Sequence, residues 1–281
     1  MDNLVSTEWL ESHLGEPDLR VVAVPVRLDP DPATGAVTET DEWARGHIPG
    51  SVLADLPGRL SDRGSPLPAM MPPAEEFAAA MEELGVGEET RVVLYDFGEN
   101  AWAARVWWML HSVGFDDAAV LDGGWSKWQA EGRPVSADVT EPPRVRFVVG
   151  ERRPVFVGMS DVQSALGDGS TCIINALDAD QHSGEGSFYG IRGHIPGAIN
   201  VPYLDVVDPD SGAYLPEDEL RRRFETALGS ERVVLYCGAG IAATSDAFLL
   251  RRLGHRNVAV YDGSLVEWAF SDARPSLVTD A

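Results

Sequence analysis

Short apolar runs and amphipathic segments alternate along this chain, which is the pattern that strands and helices make when they follow each other. The Val-Val-Leu-Tyr run at 233–236 is typical of a buried parallel strand, because it is apolar and contains β-branched and aromatic residues. From Ile241 to Leu253 the apolar residues recur at helical spacing. Cys237 and three small residues lie in between, so the pattern predicts a strand, a tight glycine turn and a helix, with one cysteine at the turn.

The same order of elements is predicted in both halves of the chain. Each half has an apolar strand, a long polar loop, a Gly-His-Ile-Pro-Gly motif with a short strand after it, a helix, a Val-Val-Leu-Tyr strand, a helix, a strand and a last helix that carries a tryptophan. Strands that alternate with helices predict an α/β fold, in which a mainly parallel sheet is flanked by helices on both faces. Strands are expected at 21–26, 51–54, 92–95, 118–121, 172–176, 198–202, 233–236 and 258–261, and helices at 74–84, 101–113, 216–228 and 241–253.

Landmarks of the first half recur in the second at nearly constant separation, which indicates an internal repeat. The Gly-His-Ile-Pro-Gly motif at 46–50 returns at 193–197, an offset of 147 (193 − 46). The Val-Val-Leu-Tyr strand at 92–95 returns at 233–236, an offset of 141 (233 − 92). The period is far longer than a solenoid unit, so each copy is expected to have a core of its own.

The repeat predicts two tandem domains, the first over residues 1–138 and the second over residues 155–281. Residues 139–154 are expected to form a linker that runs extended over the surface. Its prolines at 142, 143 and 154 fix the backbone and remove hydrogen-bond donors.

The charge balance is strongly acidic, since 45 Asp and Glu stand against 22 Lys and Arg and give a formal net charge of −23. Such a surface repels nucleic acid and anionic membranes, so neither is expected as a partner. No run approaches the ~20 apolar residues of a membrane span, and no secretory signal is recognisable. Two cysteines do not indicate a disulfide scaffold, so we expect a cytoplasmic protein with reduced thiols.

The histidines predict structure rather than metal binding. The six histidines are scattered, and neither a CxxC nor an HxxxH spacing occurs, so no metal site is expected. The histidine of the repeated motif is present in both halves, including the half that has no cysteine at the turn. His47 and His194 are therefore expected to form structural hydrogen bonds rather than to act as catalytic bases.

Cys237 is predicted to lie where backbone N–H groups and the positive end of the following helix converge. Gly238 and Gly240 let the backbone curl close to the sulfur, while Ala239 and Ala242 add little bulk. Thiols at comparable sites have pKa values of roughly 3.5–7.5, against ~8.5 for free cysteine. The same donors suit a persulfide anion. A buried structural cysteine is the alternative, but the order strand, cysteine, Gly-x-Gly and helix favours a nucleophile.

In this combination and order, the motifs resemble those of the tandem-domain rhodaneses and 3-mercaptopyruvate sulfurtransferases. The resemblance rests on the two Gly-His-Ile-Pro-Gly motifs, the strand with its cysteine and glycine loop, and the Leu-Asp-Gly-Gly segment at 121–124 with Trp128. It covers nearly the whole chain. It implies that the first domain, in which Asp96 replaces the cysteine, is non-catalytic and that the second is catalytic.

The resemblance implies a sulfurtransferase that needs no cofactor. In this family the cysteine takes a sulfane sulfur from thiosulfate, 3-mercaptopyruvate or another persulfide, and passes it to a thiol or cyanide. Cys237 is then the nucleophile, acting by covalent catalysis in two half-reactions. The expected partners are a small-molecule donor, a thiol acceptor and, as a further candidate, a thioredoxin-like reductant. The implied substrate-binding residues are Gly238, Ala239, Gly240, Ile241, Ala242, Ala243 and Arg192.

Several family positions differ in this chain. Mercaptopyruvate enzymes usually read Cys-Gly-Ser-Gly-Val-Thr, whereas Ala239 and Ala242 replace the serine and the threonine here. Thiosulfate enzymes carry basic residues in this loop, and this loop has none. Leu177 replaces the arginine of an Asp-Ala-Arg or Asp-Ser-Arg triplet that binds the donor. We therefore expect a less polar and less basic pocket, in which Arg192 either compensates or is an ordinary solvated arginine.

Three functions remain open at this point. The first is an active sulfurtransferase with an altered donor, such as a persulfide that needs no arginine. The second is a degenerate rhodanese that serves as a sulfur carrier, redox sensor or protein-binding module with little turnover. The third is a phosphatase with a Cys-x5-Arg loop, which is disfavoured because the sixth residue after Cys237 is Ala243 and brings no charge to neutralise phosphate. The first is the preferred hypothesis.

Overall fold

The computed structural model describes residues 1–28, 36–273 and 275–280. Ala281, the end of the predicted second domain, lies outside the described part. The chain divides into two compact units. Unit 1 comprises Met1–Gly64, Met71–Arg153 and Pro209–Tyr214, and unit 2 comprises Ser65–Met70, Pro154–Asp208 and Leu215–Ala281.

Unit 1 contains a parallel five-stranded sheet in the order β1-β7-β6-β2-β5, together with a small antiparallel hairpin of β3 and β4. Its strands are β1 (Leu4–Val5), β2 (Leu19–Val24), β3 (Val26–Leu28), β4 (Ala36–Thr38), β5 (Val52–Leu53), β6 (Arg91–Asp96) and β7 (Ala118–Leu121). Its helices are α1 (Thr7–His13), α2 (Thr40–Arg45), α3 (Ala74–Glu83), α4 (Ala101–Ser112) and α5 (Gly124–Ala130).

Unit 2 repeats this sheet, with five parallel strands in the order β10-β9-β11-β12-β8. The strands are β8 (Phe156–Val157), β9 (Thr171–Asn175), β10 (Ile199–Asn200), β11 (Arg232–Tyr236) and β12 (Val258–Tyr261). The helices are α6 (Met159–Ala165), α7 (Ala179–Ser183), α8 (Glu217–Arg223), α9 (Glu225–Leu228), α10 (Ala242–Arg252) and α11 (Ser264–Phe270), with a 3-10 helix at Tyr203–Val206.

The predicted α/β fold with two mainly parallel sheets is confirmed, and the strand predicted at 233–236 is the central strand β11. The helix predicted at 216–228 is two helices, because Phe224 leaves helical geometry (φ −99°, ψ 16°) where its ring becomes buried. The edge strands β1 and β8 were not predicted. Each has only two residues, too few to show a periodic pattern.

One buried tryptophan of the last helix anchors a core cluster in each unit. Trp128 lies in the cluster of unit 1 with residues of β2, β6 and β7, and Trp268 lies in that of unit 2 with residues of β9, β11 and β12. Both indole rings are fully buried. Burying a side chain of this size removes about 150–250 Å² of mostly apolar surface from water, so each ring contributes to the stability of its unit.

The Gly-His-Ile-Pro-Gly motif is attached to the central strand by the same hydrogen bond in both units. The N–H of Ile48 donates to the hydroxyl of Tyr95 (3.3 Å), and that of Ile195 donates to the hydroxyl of Tyr236 (2.9 Å). Tyr95 and Tyr236 are the last residues of the two Val-Val-Leu-Tyr runs. Within each unit, the Gly-His-Ile-Pro-Gly motif is therefore hydrogen-bonded to the Val-Val-Leu-Tyr strand.

The motif histidines are hydrogen-bonded to backbone carbonyls, as expected from their presence in both halves. His47 Nδ1 lies 2.9 Å from the carbonyl oxygen of Trp43, and its ring stacks on that indole at 4.1 Å. His194 Nδ1 lies 2.8 Å from the carbonyl oxygen of His182, and its ring stacks on that imidazole at 3.7 Å.

A chain segment after the last helix returns to the motif in each unit, and we call it the strap. In unit 1 the strap is residues 134–138, and Ser136 forms an antiparallel bridge with His47. In unit 2 the strap is residues 276–280, and Val278 forms the equivalent bridge with His194. The indole N–H groups of the tryptophans donate to the first residue of each strap, Pro134 and Ser276.

The segment predicted as a linker, residues 139–154, is attached to unit 1 as far as Arg153. Phe147 is buried and packs edge-to-face on Phe77. The guanidinium of Arg153 forms two hydrogen bonds with the carboxylate of Asp116 (2.6 and 2.7 Å). In the part of the chain that the structure describes, no helix is long and apolar enough to cross a bilayer.

The hydrogen bond between the Ile195 N–H and the Tyr236 hydroxyl can be tested by mutation. We expect Tyr236→Phe to leave the buried Ile195 N–H without its acceptor, at a cost of about 1–3 kcal/mol. Hydrogen exchange at the Ile195 amide should accelerate correspondingly. The Ile48 amide, held by Tyr95, is the control and should keep its rate. Unchanged exchange at Ile195 would show that the hydroxyl does not hold the motif.

Candidate active site

Cys237 follows the central strand of the sheet in unit 2. Strand β11 lies between β9 and β12, and Cys237 comes directly after its carboxyl end. Only 2% of the side chain is exposed. Helix α10 begins at Ala242, so the chain from 238 to 241 forms the loop predicted from the sequence. In open parallel sheets, ligands bind outside the carboxyl ends of the strands.

The peptide groups next to Cys237 are hydrogen-bonded to the first residues of α11. The Cys237 N–H donates to Ser264 Oγ (3.2 Å), and the carbonyls of Cys237 and Gly238 accept from the N–H groups of Leu265 and Val266 (both 3.1 Å). Ser264 has the left-handed φ of +49°, unusual for a residue with a side chain. Sequence reasoning missed this residue, although the Asp-Gly-Ser turn aligned with Asp-Gly-Gly of the first half was a visible signal.

In unit 1 the equivalent loop binds a carboxyl group, the side chain of Asp96. This residue is the counterpart of Cys237 at the offset of 141 and is completely buried. Its Oδ1 accepts the N–H groups of Gly98 and Asn100 (both 3.1 Å), and its Oδ2 accepts those of Trp102 and Ala103 (3.0 and 3.1 Å). Burial raises the pKa of Asp96, and these four bonds, which favour the ionised form, oppose that rise.

The corresponding loop in unit 2 carries backbone N–H groups at the equivalent positions. The counterparts of three of those residues, at the same offset, are Ala239, Ile241 and Ala243. Among the residues that the structure describes, their N–H groups have no acceptor. The turn itself differs, because Gly240 takes the positive φ (+74°), whereas Asn100 takes it in unit 1 (+62°). The loop is therefore suited to an anion at Cys237.

Cys172 is separated from Cys237 along the sheet. The register pairs Cys172 with Val233, four residues before Cys237, which corresponds to about 13 Å along a strand. A disulfide needs Cα atoms within about 7 Å, and both cysteines are free thiols. Burial raises the pKa of the Cys172 thiol, so this cysteine is a poor nucleophile.

Arg192 and Leu177 have local partners within unit 2. The exposed guanidinium of Arg192 donates to the carbonyls of Gly184 and Glu185 (3.2 and 3.5 Å), just after the end of α7. Leu177, the position of the family's donor-binding arginine, is partly buried and packs against the core cluster. Its N–H donates to Asn175 Oδ1 (3.1 Å), which fixes the turn after β9.

His182, His194 and Asp280 form a cluster that sequence spacing could not reveal, since Asp280 lies far along the chain. Their ligand atoms lie within 4.8 Å of one another. The two imidazoles are stacked nearly parallel (6°), so their in-plane lone pairs run side by side instead of converging on one ion. Burial, and then the neighbouring His194, lower the pKa of His182 to about 4. The two rings pack on each other next to the strap.

Asp246 on helix α10 is a buried acid with no hydrogen-bond partner. The residue is fully buried, and neither carboxyl oxygen has a partner among the described residues. Burial raises the pKa of Asp246 well above its ordinary value, and the charge of Asp205 raises it further. A carboxyl in such a place holds its proton, because ionisation there is not compensated by any donor.

Comparison with known proteins gives one consistent result. The model of the rhodanese-like domain family matches residues 6–131 and 159–271. The 3-mercaptopyruvate sulfurtransferase of Escherichia coli K12 is 33% identical over 269 residues, 94% of each chain. A sulfur carrier protein of Thermus thermophilus is 33% identical, over 94% of this chain and 93% of that one. The crystal structure of SseA from Escherichia coli, at 33% identity, superposes with a TM-score of 0.80 and covers 94% of this chain and 99% of its own.

The buried acid predicts a pH-dependent stability. Because the folded pKa of Asp246 is raised, the unfolded chain ionises first as the pH rises, and the folded state loses about 1.4 kcal/mol per pH unit until its own pKa is reached. Asp246→Asn removes this loss. We expect the melting temperature of the variant, relative to the native protein, to be higher at pH 8 than at pH 4.

The exposed Asp272 supplies the control, since Asp272→Asn should give no such dependence. If the melting temperatures of Asp246→Asn and the native protein differ by the same amount from pH 4 to pH 8, Asp246 is ionised in the folded protein.

Proposed function

Because the chain belongs to the rhodanese family in both of its units, we propose that it is a sulfurtransferase that carries a sulfane sulfur as a persulfide on Cys237. Relatives named as sulfurtransferases support this over nearly the full length. The observation that carries the proposal is the set of N–H groups at Ala239, Ile241 and Ala243 that have no acceptor among the described residues.

The internal comparison with unit 1 gives the physical argument. Four N–H groups hold the buried carboxyl group of Asp96, so this loop architecture can direct several donors at one buried acceptor. At Cys237 the anion is the thiolate, and after transfer it is the outer sulfur of the persulfide. Hydrogen bonds to an ionised group are worth about 1.5–3 kcal/mol each, so donors of this kind are suited to the outer sulfur of a persulfide anion.

The reaction proceeds in two displacements at sulfur. The Cys237 thiolate attacks the sulfane sulfur of the donor, a new S–S bond forms, and the former partner leaves with the bonding electron pair. With thiosulfate the leaving group is sulfite, with an organic persulfide it is a thiolate, and with 3-mercaptopyruvate it is the enolate of pyruvate, which then takes up a proton. A thiol or cyanide acceptor next attacks the outer sulfur and releases the Cys237 thiolate.

The surroundings favour a donor without a strongly charged group. Leu177 brings an apolar side chain to the place of the family's arginine, and the loop carries no basic residue. In this proposal, Arg192 binds the donor only if its hydrogen bonds to the carbonyls of Gly184 and Glu185 are broken. The proposed acceptor is a small thiol or a thioredoxin-like reductant, and the proposed setting is the cytoplasm, where both thiols stay reduced.

A second candidate is a sulfur carrier with little turnover, which the name of the Thermus thermophilus relative favours. Both candidates form the persulfide on Cys237. They differ in the second step, because an enzyme passes the sulfur to a small thiol repeatedly, whereas a carrier holds it for a protein partner.

The persulfide can be observed directly. We expect incubation of the reduced protein with thiosulfate, 3-mercaptopyruvate or benzyl persulfide to add one sulfur atom to the intact mass, reversibly on reduction. Cys237→Ser should abolish the gain. Cys172→Ser is the matched control and should keep it, because Cys172 is buried in β9. A sulfur gain in Cys237→Ser, or no gain from any donor, would defeat the proposal.

The donor contact can be restored at Leu177. We expect Leu177→Arg to raise kcat/KM for thiosulfate and 3-mercaptopyruvate by about tenfold, because one ion-assisted hydrogen bond is worth about 1.4 kcal/mol or more. Leu177→Gln, polar but uncharged, is the control and should give little gain. Unchanged donor kinetics in a Leu177→Arg protein of native thermal stability would contradict this account of the missing arginine.

A further inference from the structure

A two-residue hairpin in unit 2 presents an aromatic side chain to the cysteine loop. Phe188 and Ile191 exchange both backbone hydrogen bonds (2.9 Å each), and Tyr189 and Gly190 between them have φ of +46° and +82°. Positive φ at both central residues is the geometry of a type I′ turn. Tyr189 adopts it at the cost of strain that glycine or asparagine would avoid.

This strain is accompanied by a second unfavourable feature at the same place. The hydroxyl oxygen of Tyr189 is buried and has no hydrogen-bond partner among the described residues. Its ring packs on Phe188, with 4.6 Å between the ring centroids. A strained residue with an unpaired polar group in an ordered loop points to a functional constraint on the hairpin.

The ring of Phe188 lies directly on the residue after the cysteine. A Cβ atom at Gly238 would come within 2.2 Å of both Cε1 and Cζ of Phe188. Gly238 does not have a positive φ, so its backbone could accept another residue. A side chain at position 238 therefore requires the ring of Phe188 to move.

We propose that Phe188 is a specificity-determining residue that selects sulfur donors by an apolar group on the leaving sulfur, in preference to thiosulfate. The inference rests on the proposed sulfurtransferase function and names its substrate class. Phe188 is partly buried, and its ring lies on Gly238, the residue after Cys237. An apolar substituent can pack on that ring, whereas a dianion gains nothing from it and loses its hydration.

The donor class is an organic hydropersulfide with an aromatic or alkyl group. The Cys237 thiolate attacks the terminal sulfur of R–S–SH, the S–S bond of the donor breaks, and R–S⁻ leaves with the electron pair. The products are Cys237–S–SH and the thiolate of the donor, so atoms and charge balance without an oxidant or a reductant. During this step the R group lies against Phe188.

The test compares two donors on two variants of the full chain. We expect Phe188→Ala to lower the rate of persulfide formation from benzyl persulfide about tenfold, while the rate with thiosulfate falls by less than twofold or rises. Phe188→Tyr, which keeps the ring, should retain the native ratio of the two rates. The rates are measured by intact mass at short times.

A merely structural role would change both rates together. Equal loss for both donors in Phe188→Ala, or an unchanged ratio, would therefore overturn the inference while leaving the persulfide intact. Absence of a persulfide in the native protein with every donor would instead defeat the proposed function itself.

A second variant tests the contact on which the inference rests. Gly238→Ala must displace the ring of Phe188, so we expect it to shift the ratio of the two rates in the same direction as Phe188→Ala. In the double variant the two effects should not add, because the ring can be lost only once. Additive shifts, or no shift in Gly238→Ala, would show that the two residues act independently.

Discussion

The start of a helix after a buried strand leaves backbone N–H groups that need an acceptor, and this requirement governs both units. In unit 1 the requirement is met within the chain, because the carboxyl group of Asp96 takes four of these donors. In unit 2 the residue at the same position is Cys237, whose short side chain offers a sulfur instead of two oxygens. The same physical demand is thus met by a side chain in unit 1, whereas in unit 2 the N–H groups at the equivalent positions have no acceptor among the described residues.

Much of the fold could be predicted because the signals are local. The apolar run at 233–236 and the helical spacing from Ile241 to Leu253 correspond to β11 and α10, and Cys237 lies between them as the pattern indicated. The internal repeat predicted the same order of elements in both halves, but not the order of the strands within each sheet. The break at Phe224 was not predictable from spacing, because it depends on where a single ring finds space in the core.

The parts of the site that could not be predicted depend on contacts between residues distant in sequence. The ring of Phe188 lies on Gly238, which is fifty residues later in the sequence. The N–H of Cys237 donates to Oγ of Ser264, at the start of α11. Asp246 stands among residues of a regular helix, and nothing in the pattern distinguishes a buried acid from an exposed one. A family resemblance predicts roles only for residues that match the family's motifs. Phe188 lies outside these motifs, so its contact with Gly238 is visible only in the structure.

In each unit the strap is a structural part of the domain, because it is hydrogen-bonded to the Gly-His-Ile-Pro-Gly motif. The last helix of unit 1 ends at Ala130, and that of unit 2 ends at Phe270, but the bridges to His47 and His194 involve Ser136 and Val278. A fragment cut just after either helix would expose the motif's backbone and leave the tryptophan N–H unpaired. The excisable module therefore includes the strap, so residues 134–138 and residues 276–280 are equivalent structural parts of the two units.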